Sequence, residues 1–497
     1  METDSVSRFL GNYKFKRTGL VLGILAFLVF ILISDLPDHP RFCAGIAILM
    51  SIWWVTEAVP LAVTSLVPLV LFPLTGVISG KDAAAAYTNS TIFLFLGGFI
   101  IALAMERWNL HKRIALGLVS RFGKSPSSIV LSFMVAGGFL SMWISNTATA
   151  VMLLPIGMAI VSKMSEEHGS VATSNFSKAL MLSIAYSASI GGIATYIGTP
   201  PNLVFQRIYA QTFPNNASVG FGQWIIWFFP LAVLLTIFVW WLLTKVIFRS
   251  DGSFVIDRSI MRTEYEGLGR MKYEEKVILT VFASAAVLWI FREDIAIGAF
   301  TIKGWANIFP AAKFIDDGTV SIFAAVLLFI IPKKKVLEEG GAIVDGWVIQ
   351  DIPWDVILLF GGGFALAEGF VKSGLSEAIG KSFDFAAGMP VIFIIFSISL
   401  IVTFLTELTS NTATAQIFLP ILAAFAIEWK VDPLLLMLPA TISASMAFMM
   451  PVATPPNAIV FGSRKLQIAD MAKTGFFINI FGAVVITLLI YFVLGLR

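Results

Sequence analysis

The chain has one cysteine, Cys43, and three histidines, His39, His111 and His168, in 497 residues. A single thiol excludes an internal disulfide framework and any cysteine-based metal cluster. The histidines fall in predicted loops or helix ends and form no ligand set. Charged residues make up only 13% of the chain, about half the share of a soluble domain. Apolar segments of about ten residues with strict alternation, the mark of a membrane β-barrel, are missing as well. The net charge of +3 is too small to point to a partner, and no nucleic-acid partner is expected.

What is present is apolar sequence, 58% hydrophobic residues, in runs of about 18 residues or more that are each long enough to cross a bilayer as a helix. Eleven such spans are read at roughly 18–36, 42–57, 60–78, 91–107, 178–208, 222–248, 276–292, 316–332, 354–372, 434–462 and 475–495. Two further apolar regions lie at about 127–162 and 389–428. The fold class is therefore an all-α polytopic membrane protein of about 11 transmembrane helices. The stretch before the first run, with Lys14, Lys16 and Arg17, has no small-residue cleavage site and reads as a retained first helix.

Basic residues orient the spans. Lys14, Lys16 and Arg17 put the N-terminus in the cytoplasm. Arg107, Lys112, Arg113, Arg121 and Lys124 then fall inside after four crossings, as do the polar segment 249–276, Lys333 to Lys335, and Arg464, Lys465 and Lys473. An odd number of crossings leaves the C-terminus outside. Both flanks of the region 127–162 fall on the cytoplasmic side, so it reads as a re-entrant hairpin rather than a pair of crossings. The second region is given the same reading by its likeness to the first.

That likeness is an internal repeat. FLSMWISNTATAVMLLPI from Phe139 aligns without a gap with FLTELTSNTATAQIFLPI from Phe404, a shift of 265. The same shift pairs FLGGF at Phe95 with FGGGF at Phe360 and Leu110 with Leu375. GTPPNLVF at Gly198 then answers ATPPNAIVF at Ala453, with a shift of 255. Two homologous halves follow, each with a span, a hairpin and a span interrupted at TPPN, near 198–202 and 453–457. Inverted repeats with broken helices around a midplane site are a recurring plan of secondary transporters.

The chemistry of these motifs fits a site. Paired prolines remove two backbone donors and restrict the preceding residue, so a helix breaks there. In hydrocarbon, such a break is tolerated only inside protein or at a cavity. Its carbonyls, with Ser, Thr and Asn oxygens, suit a hard cation such as sodium, while the helix N-termini at hairpin tips favour an anion. Neither motif carries Lys or Arg. An anion held there needs bound cations to offset its buried charge, which is a physical reason for coupled transport. Two of the features also have plain structural readings: the glycines of FLGGF and FGGGF serve equally for close helix packing, and Met142 and Trp143 read as packing residues. Glu407, which replaces Met142 in the second copy, is a carboxylate at membrane depth and so a functional candidate. It would repel an anion, so direct substrate contact is disfavoured.

WWVTEAVPL, ERWNLHKRIAL, SMWISNTAT, IGTPPN, ELTSNTAT and PVATPPNAIVFG resemble signatures of the divalent anion/sodium symporter family, which includes sodium-coupled dicarboxylate and citrate carriers. The resemblance covers nearly the whole chain. It implies a homodimer in the cell membrane, with a scaffold and a transport domain that moves as an elevator. The division it implies is scaffold and dimer contact over 1–90, the first transport half over 91–210, scaffold helices and a cytoplasmic linker over 211–350, the second transport half over 351–463, and a last helix over 464–497. It implies one sodium site from Ser141, Ser145, Asn146 and the Gly198 carbonyl, and another from Thr406, Thr409, Asn411 and the Ala453 carbonyl. At Thr409 the family often has a small residue that gives only its carbonyl. The substrate, a C4-dicarboxylate such as succinate, malate or fumarate or a related di- or tricarboxylate, would meet Ser145, Asn146, Thr147, Ser410, Asn411 and Thr412, with Thr199 and Thr454 nearby.

Three other classes stay open on the residues alone. A sodium-independent dicarboxylate exchanger of the same fold would share every motif. An intramembrane enzyme is disfavoured, since no catalytic aspartate pair, serine–lysine pattern or histidine-rich metal motif sits at matched depth. A channel would show a pore-lining polar stripe rather than two hairpin tips.

Overall fold

The structure is a computed structural model and describes residues 2–120, 125–249, 259–297, 300–334, 341–382 and 388–494. Arg121, Lys124, Lys335 and the 250–258 part of the long polar segment lie outside the described residues, as does the side chain of Lys14.

Apolar chain in a bilayer satisfies its backbone locally, and here it does so as helix. The first part runs α1 (Glu2–Ile33), α2 (Asp38–Thr56), α3 (Leu61–Thr64), α4 (Val67–Thr75), α5 (Gly80–Ala85) and α6 (Ser90–Arg107). Next come α7 (Leu110–Val119), α8 (Pro126–Ser141), α9 (Asn146–His168), α10 (Ser174–Ile193), α11 (Pro200–Thr212) and α12 (Phe221–Trp241), the last continuing as a π-helical stretch over Leu242–Ile247. The middle holds α13 (Ser259–Gly267), α14 (Tyr273–Ile290), α15 (Asp317–Ile330) and α16 (Trp347–Asp351). The chain ends with α17 (Trp354–Ser373), α18 (Leu375–Ser382), α19 (Val391–Thr406), α20 (Asn411–Trp429), α21 (Pro433–Ser443), α22 (Pro455–Phe461) and α23 (Ile468–Leu494). Between α14 and α15 a two-stranded antiparallel ribbon, β1 (Ile295–Ile297) and β2 (Phe300–Ile302), sets Ile295 opposite Ile302. Among the described residues eight helices are long and apolar enough to cross a membrane. The apolar spans read from the sequence are all helical, but those at 60–78, 178–208 and 434–462 each divide into two helices.

The series α6 to α12 repeats as α17 to α23, and the packing repeats with it. In the first half α8 and α9 pack on α10, and α12 on α8 and α10. In the second, α19 and α20 pack on α21, and α23 on α19 and α21. The halves interlock: α9 and α10 meet α22, while α20 and α21 meet α11. Around this unit α6 lies against α14 and α15, and α17 against α2, α3 and α4. The glycines explain the close approach of the second group. A Cβ at Gly97 would stand 2.6 Å from the Ser321 carbonyl oxygen, and one at the equivalent Gly362 would stand 2.5 Å from that of Ser65.

The position of the helix breaks differs from expectation. The sequence places them at TPPN, but α10 ends at Ile193 and 194–198 is unwound, with Thr199 as the N-cap of α11 and Pro200 and Pro201 in its first turn. Proline at the first helical position gives up an N–H that has no partner anyway, and its fixed φ suits the helix. The prolines therefore start the second helix rather than break the first. In the other half the unwound stretch is longer, 444–453, and Thr454 caps α22. Buried aromatics brace both breaks. Trp224 Nε1 donates to the Ile193 carbonyl at 3.0 Å, Tyr196 packs against Trp224 with centroids 4.4 Å apart and the rings tilted by 34°, and the Tyr186 hydroxyl donates to the Phe448 carbonyl at 2.8 Å.

Candidate functional site

Each SNT motif opens a helix. Ser145 is the N-cap of α9, its hydroxyl accepting from the Ala148 N–H at 3.1 Å, and only residues 142–145 separate α8 from α9. Ser410 holds the N-cap position of α20 with the same extended backbone, φ −64° and ψ 133°, but its hydroxyl makes no capping hydrogen bond. The first-turn N–H groups behind each cap have no intrahelical partner, and with the macrodipole they favour an anion.

These helix starts and the two breaks surround one cavity of about 1090 Å³. Ser145, Asn146, Thr147, Gly198, Thr199, Thr409, Ser410, Asn411, Thr412, Ala453 and Thr454, from both halves of the repeat, line it. Ser141 and Thr406 lie behind the wall, fully buried, and reach the cavity through the two asparagines. Thr199 Oγ1 lies 3.4 Å from Ser445 Oγ, tying the break of one half to that of the other.

Behind each asparagine is a knot of oxygens. Ser141 donates to Asn146 Oδ1, and its hydroxyl is 2.6 Å from the Ala188 carbonyl oxygen. The end of the Asn146 amide that faces Ser141 is also 3.1 Å from the Ala188 carbonyl oxygen and 3.2 Å from that of Gly198. With its nitrogen turned inward, the amide makes hydrogen bonds to these groups. With its oxygen turned inward, hydroxyl, amide and two carbonyl oxygens converge, which is the donor set a hard cation takes. In the second half Thr406 Oγ1 lies 2.8 Å from both Asn411 Oδ1 and the Ala444 carbonyl oxygen, with one proton to give between them. Thr409 stands apart: its hydroxyl is 3.1 Å from the Leu405 carbonyl and 2.6 Å from Thr414 Oγ1.

Glu407 does not point its charge at a ligand. Its carboxylate, only 3% exposed, accepts from the N–H groups of Phe448 at 2.6 Å, Met449 at 2.9 Å and Met450 at 3.1 Å, and from Asn479 Nδ2 at 2.7 Å. It gathers the unwound stretch 444–453. The equivalent residue of the first half, Met142, meets its break through its carbonyl, which accepts from Thr195 Oγ1 at 2.5 Å, while that same hydroxyl accepts from the Gly198 N–H at 3.1 Å. The two breaks are thus held by different chemistry.

The rest of the wall was less visible in the sequence. Phe95, Gly98 and Phe99 line the cavity from α6; their only signal was FLGGF, whose Gly97 serves helix packing. The cavity lining also includes Lys16, Glu57, Glu106, Asp351 and Asp355, scattered single charges with no motif. Lys16 and Glu57 pair at 3.7 Å. No Lys or Arg lies beside the SNT or TPPN residues in the cavity lining.

Among known proteins, the sodium-dependent dicarboxylate transporter SdcS of Staphylococcus saprophyticus is 44% identical over 482 residues, covering 95% of this chain and 90% of its own. SdcS of Staphylococcus aureus strain NCTC 8325 is 44% identical over 484 residues, covering 96% and 91%. The crystal structure of the Alcanivorax borkumensis YdaH transporter superposes with a TM-score of 0.57 over 92% of this chain and 99% of that one, at 12% identity, a likeness of fold. Residues 12–495 match the family described as the sodium:sulfate symporter transmembrane region, and with nearly the full length matched, the chain belongs to that family of membrane transporters.

Proposed function

We propose that the protein is a sodium-coupled symporter of C4-dicarboxylates such as succinate, malate and fumarate, or of related di- and tricarboxylates. The observation that carries this reading is the pair of oxygen knots, Ser141–Asn146–Ala188–Gly198 and Thr406–Asn411–Ala444, each directly behind a helix start at one cavity. The sodium-dependent dicarboxylate transport of the relatives agrees with it. Each knot takes one sodium ion, with the Ala453 carbonyl and the Thr409 backbone completing the second. Asn146 and Asn411 face both the ions and the substrate. One carboxylate end meets Ser145, Asn146 and Thr147 and the other Ser410, Asn411 and Thr412, with Thr199 and Thr454 beside them. No fixed cation offsets a dianion here, so its burial is costly until sodium binds. Sodium occupancy is then a condition for substrate occupancy, which is the coupling.

Movement follows an elevator. The packing supports a moving unit of α8 to α12 with α19 to α23, whose helix pairs α8–α9 and α19–α20 are re-entrant, and a frame of α1 to α5 with α14 and α15. α6 and α17, which the sequence reading counts with the transport halves over 91–210 and 351–463, pack on that frame, α17 also on α11 and α20, and are assigned to the frame here. The frame also makes the contact in a homodimer. By the positive-inside rule, the mouth at Lys16, Glu57 and Glu106 faces the cytoplasm, the N-terminus is cytoplasmic and the C-terminus outside. The cavity is then inward-open.

The test is uptake of labelled succinate into proteoliposomes with choline replacing sodium. Uptake is expected to fall to background. Undiminished uptake without sodium would sink symport and leave exchange.

A further inference from the structure

We infer that Asn202 and Asn457, the last residues of the two TPPN motifs, are positioning residues for the two cation sites: each holds in place the unwound backbone whose carbonyl faces the ion. The inference rests on the sodium reading above.

Neither asparagine lines the cavity, and both are fully buried. Each sits in the first turn after a break and reaches back across it. Asn202 Nδ2 donates to the carbonyls of Thr195 at 2.7 Å, Gly192 at 3.1 Å and Ile193 at 3.4 Å. Asn457 Nδ2 donates to the carbonyls of Met450 at 3.0 Å and Ala447 at 3.1 Å. Carbonyls in an unwound turn have lost the helical N–H groups that would have served them, and a buried carbonyl requires a donor. One side-chain NH₂ serves several at once. The amide oxygens of both asparagines have no partner, so in each half the side chain works as a donor alone.

The connection to the ion sites is direct. In the second half the Met450 carbonyl that Asn457 holds also accepts from the Ala453 N–H at 3.2 Å, so Asn457 fixes the turn that aims the Ala453 carbonyl. In the first half the backbone of Gly198 is pressed on Gly192: a Cβ at Gly198 would lie 2.6 Å from the Gly192 carbonyl oxygen and 2.8 Å from its Cα. Asn202 holds that same Gly192 carbonyl, and the Gly198 carbonyl oxygen lies 3.2 Å from the Asn146 amide. The two halves reach the same result through different carbonyls. Proline at positions one and two of the second helix sets where it starts; asparagine at position three sets what precedes it.

The test uses the full-length protein in proteoliposomes with Asn202→Ala, Asn202→Ser, Asn457→Ala and Asn457→Ser. Serine keeps a single donor. Succinate uptake is titrated with sodium at saturating succinate, then with succinate at saturating sodium. The sodium concentration for half-maximal uptake is expected to rise tenfold or more in the alanine variants and less in the serine variants. The KM for succinate at saturating sodium should stay within threefold of the parent. A residue needed only for stability would lower the amount of folded carrier or its turnover and leave half-saturating sodium unchanged, and that result overturns the inference. Where an alanine variant does not reconstitute, sodium-dependent protection of the purified serine variant against heat is read instead. Loss of folded protein in all four variants overturns it as well, since the role is then fold-wide. Ser141→Ala and Thr406→Ala serve as controls. If these leave half-saturating sodium unchanged, the sodium sites themselves are wrong. If these shift it and the asparagine variants do not, only the positioning role fails.

Discussion

Thr406 Oγ1 lies 2.8 Å from Asn411 Oδ1, and 265 positions earlier in the chain the Ser141 hydroxyl is hydrogen-bonded to the Asn146 amide in the same place. In both halves a hydroxyl that does not line the cavity is bonded to an amide that does. Removing one oxygen from a set of four or five leaves a site that still binds its cation, only less well. Ser141→Ala and Thr406→Ala are each expected to raise half-saturating sodium about tenfold, or about 1.4 kcal/mol. Thr406→Ser, which keeps the oxygen, should stay close to the parent. Sodium titration of succinate uptake measures both.

In the proposed site Asn146 and Asn411 serve both ion and substrate, so their loss should be more severe than that of the hydroxyls. Asn146→Ala and Asn411→Ala are each expected to reduce uptake by tenfold or more while the protein still elutes as a single folded species. Neither side chain is packed in an apolar core, and the cap residues Ser145 and Ser410 remain to start the helices. Parent-level uptake in either variant would remove that residue from the site.

Glu407 is a charge buried without a basic partner in its hydrogen-bond shell, held by backbone N–H groups and Asn479. Hydrogen bonds to a charged group contribute about 1.5–3 kcal/mol. In Glu407→Gln one carboxylate oxygen becomes an NH₂ that faces N–H groups, so roughly 2 kcal/mol of stability should be lost. The damage should fall on the second break, and with it on sodium dependence more than on the KM for succinate. Thermal unfolding with and without sodium tests this. A variant with parent stability and parent sodium protection would show that the carboxylate is not what gathers residues 448–450.

The motifs were legible because polar residues inside hydrocarbon are costly and so stand out. Ser145 to Thr147 and Ser410 to Thr412 were conspicuous for that reason, and the repeat showed that they belong together. The breaks were misplaced by several residues. Their extent is set by bonds from a distance, Asn202 reaching back to Gly192 and Glu407 reaching forward to Met450, and no local pattern in IATYIG or AFMMPV carries that information. The hydroxyl of Thr409 turns to the Leu405 carbonyl and Thr414, a rotamer choice that spacing does not encode. The division of the span 60–78 at Ser65 and Leu66 has one local signal, Pro68 in the first turn of α4, but both pieces are apolar and the close packing of Gly362 on Ser65 is a contact that sequence does not show.

The last prediction concerns the side opposite the mouth. Gln211 Nε2 on α11 donates to Glu368 on α17 at 3.3 Å. Lys372 pairs with Glu368 at 2.9 Å and with Asp82 of α5 at 3.2 Å. Asp355, near the start of α17, lines the mouth, while Glu368 lies some 20 Å further along the helix. In the proposed elevator, the chain Gln211–Glu368–Lys372–Asp82 fastens the moving unit to the frame away from Asp355 and the cytoplasmic opening. Of these contacts only the Gln211–Glu368 hydrogen bond crosses from α11 to α17, and a typical hydrogen bond contributes about 1 kcal/mol, so Glu368→Ala should raise the outward-open population about fivefold. Val452 lines the cavity and is 82% exposed. With Cys43, the one native cysteine, replaced by serine, Val452→Cys gives a single reporter thiol. A membrane-impermeant maleimide added outside intact cells should label it several-fold faster when Glu368 is alanine. Equal rates would mean that α11 and α17 are held at that end by packing alone, without help from the charges.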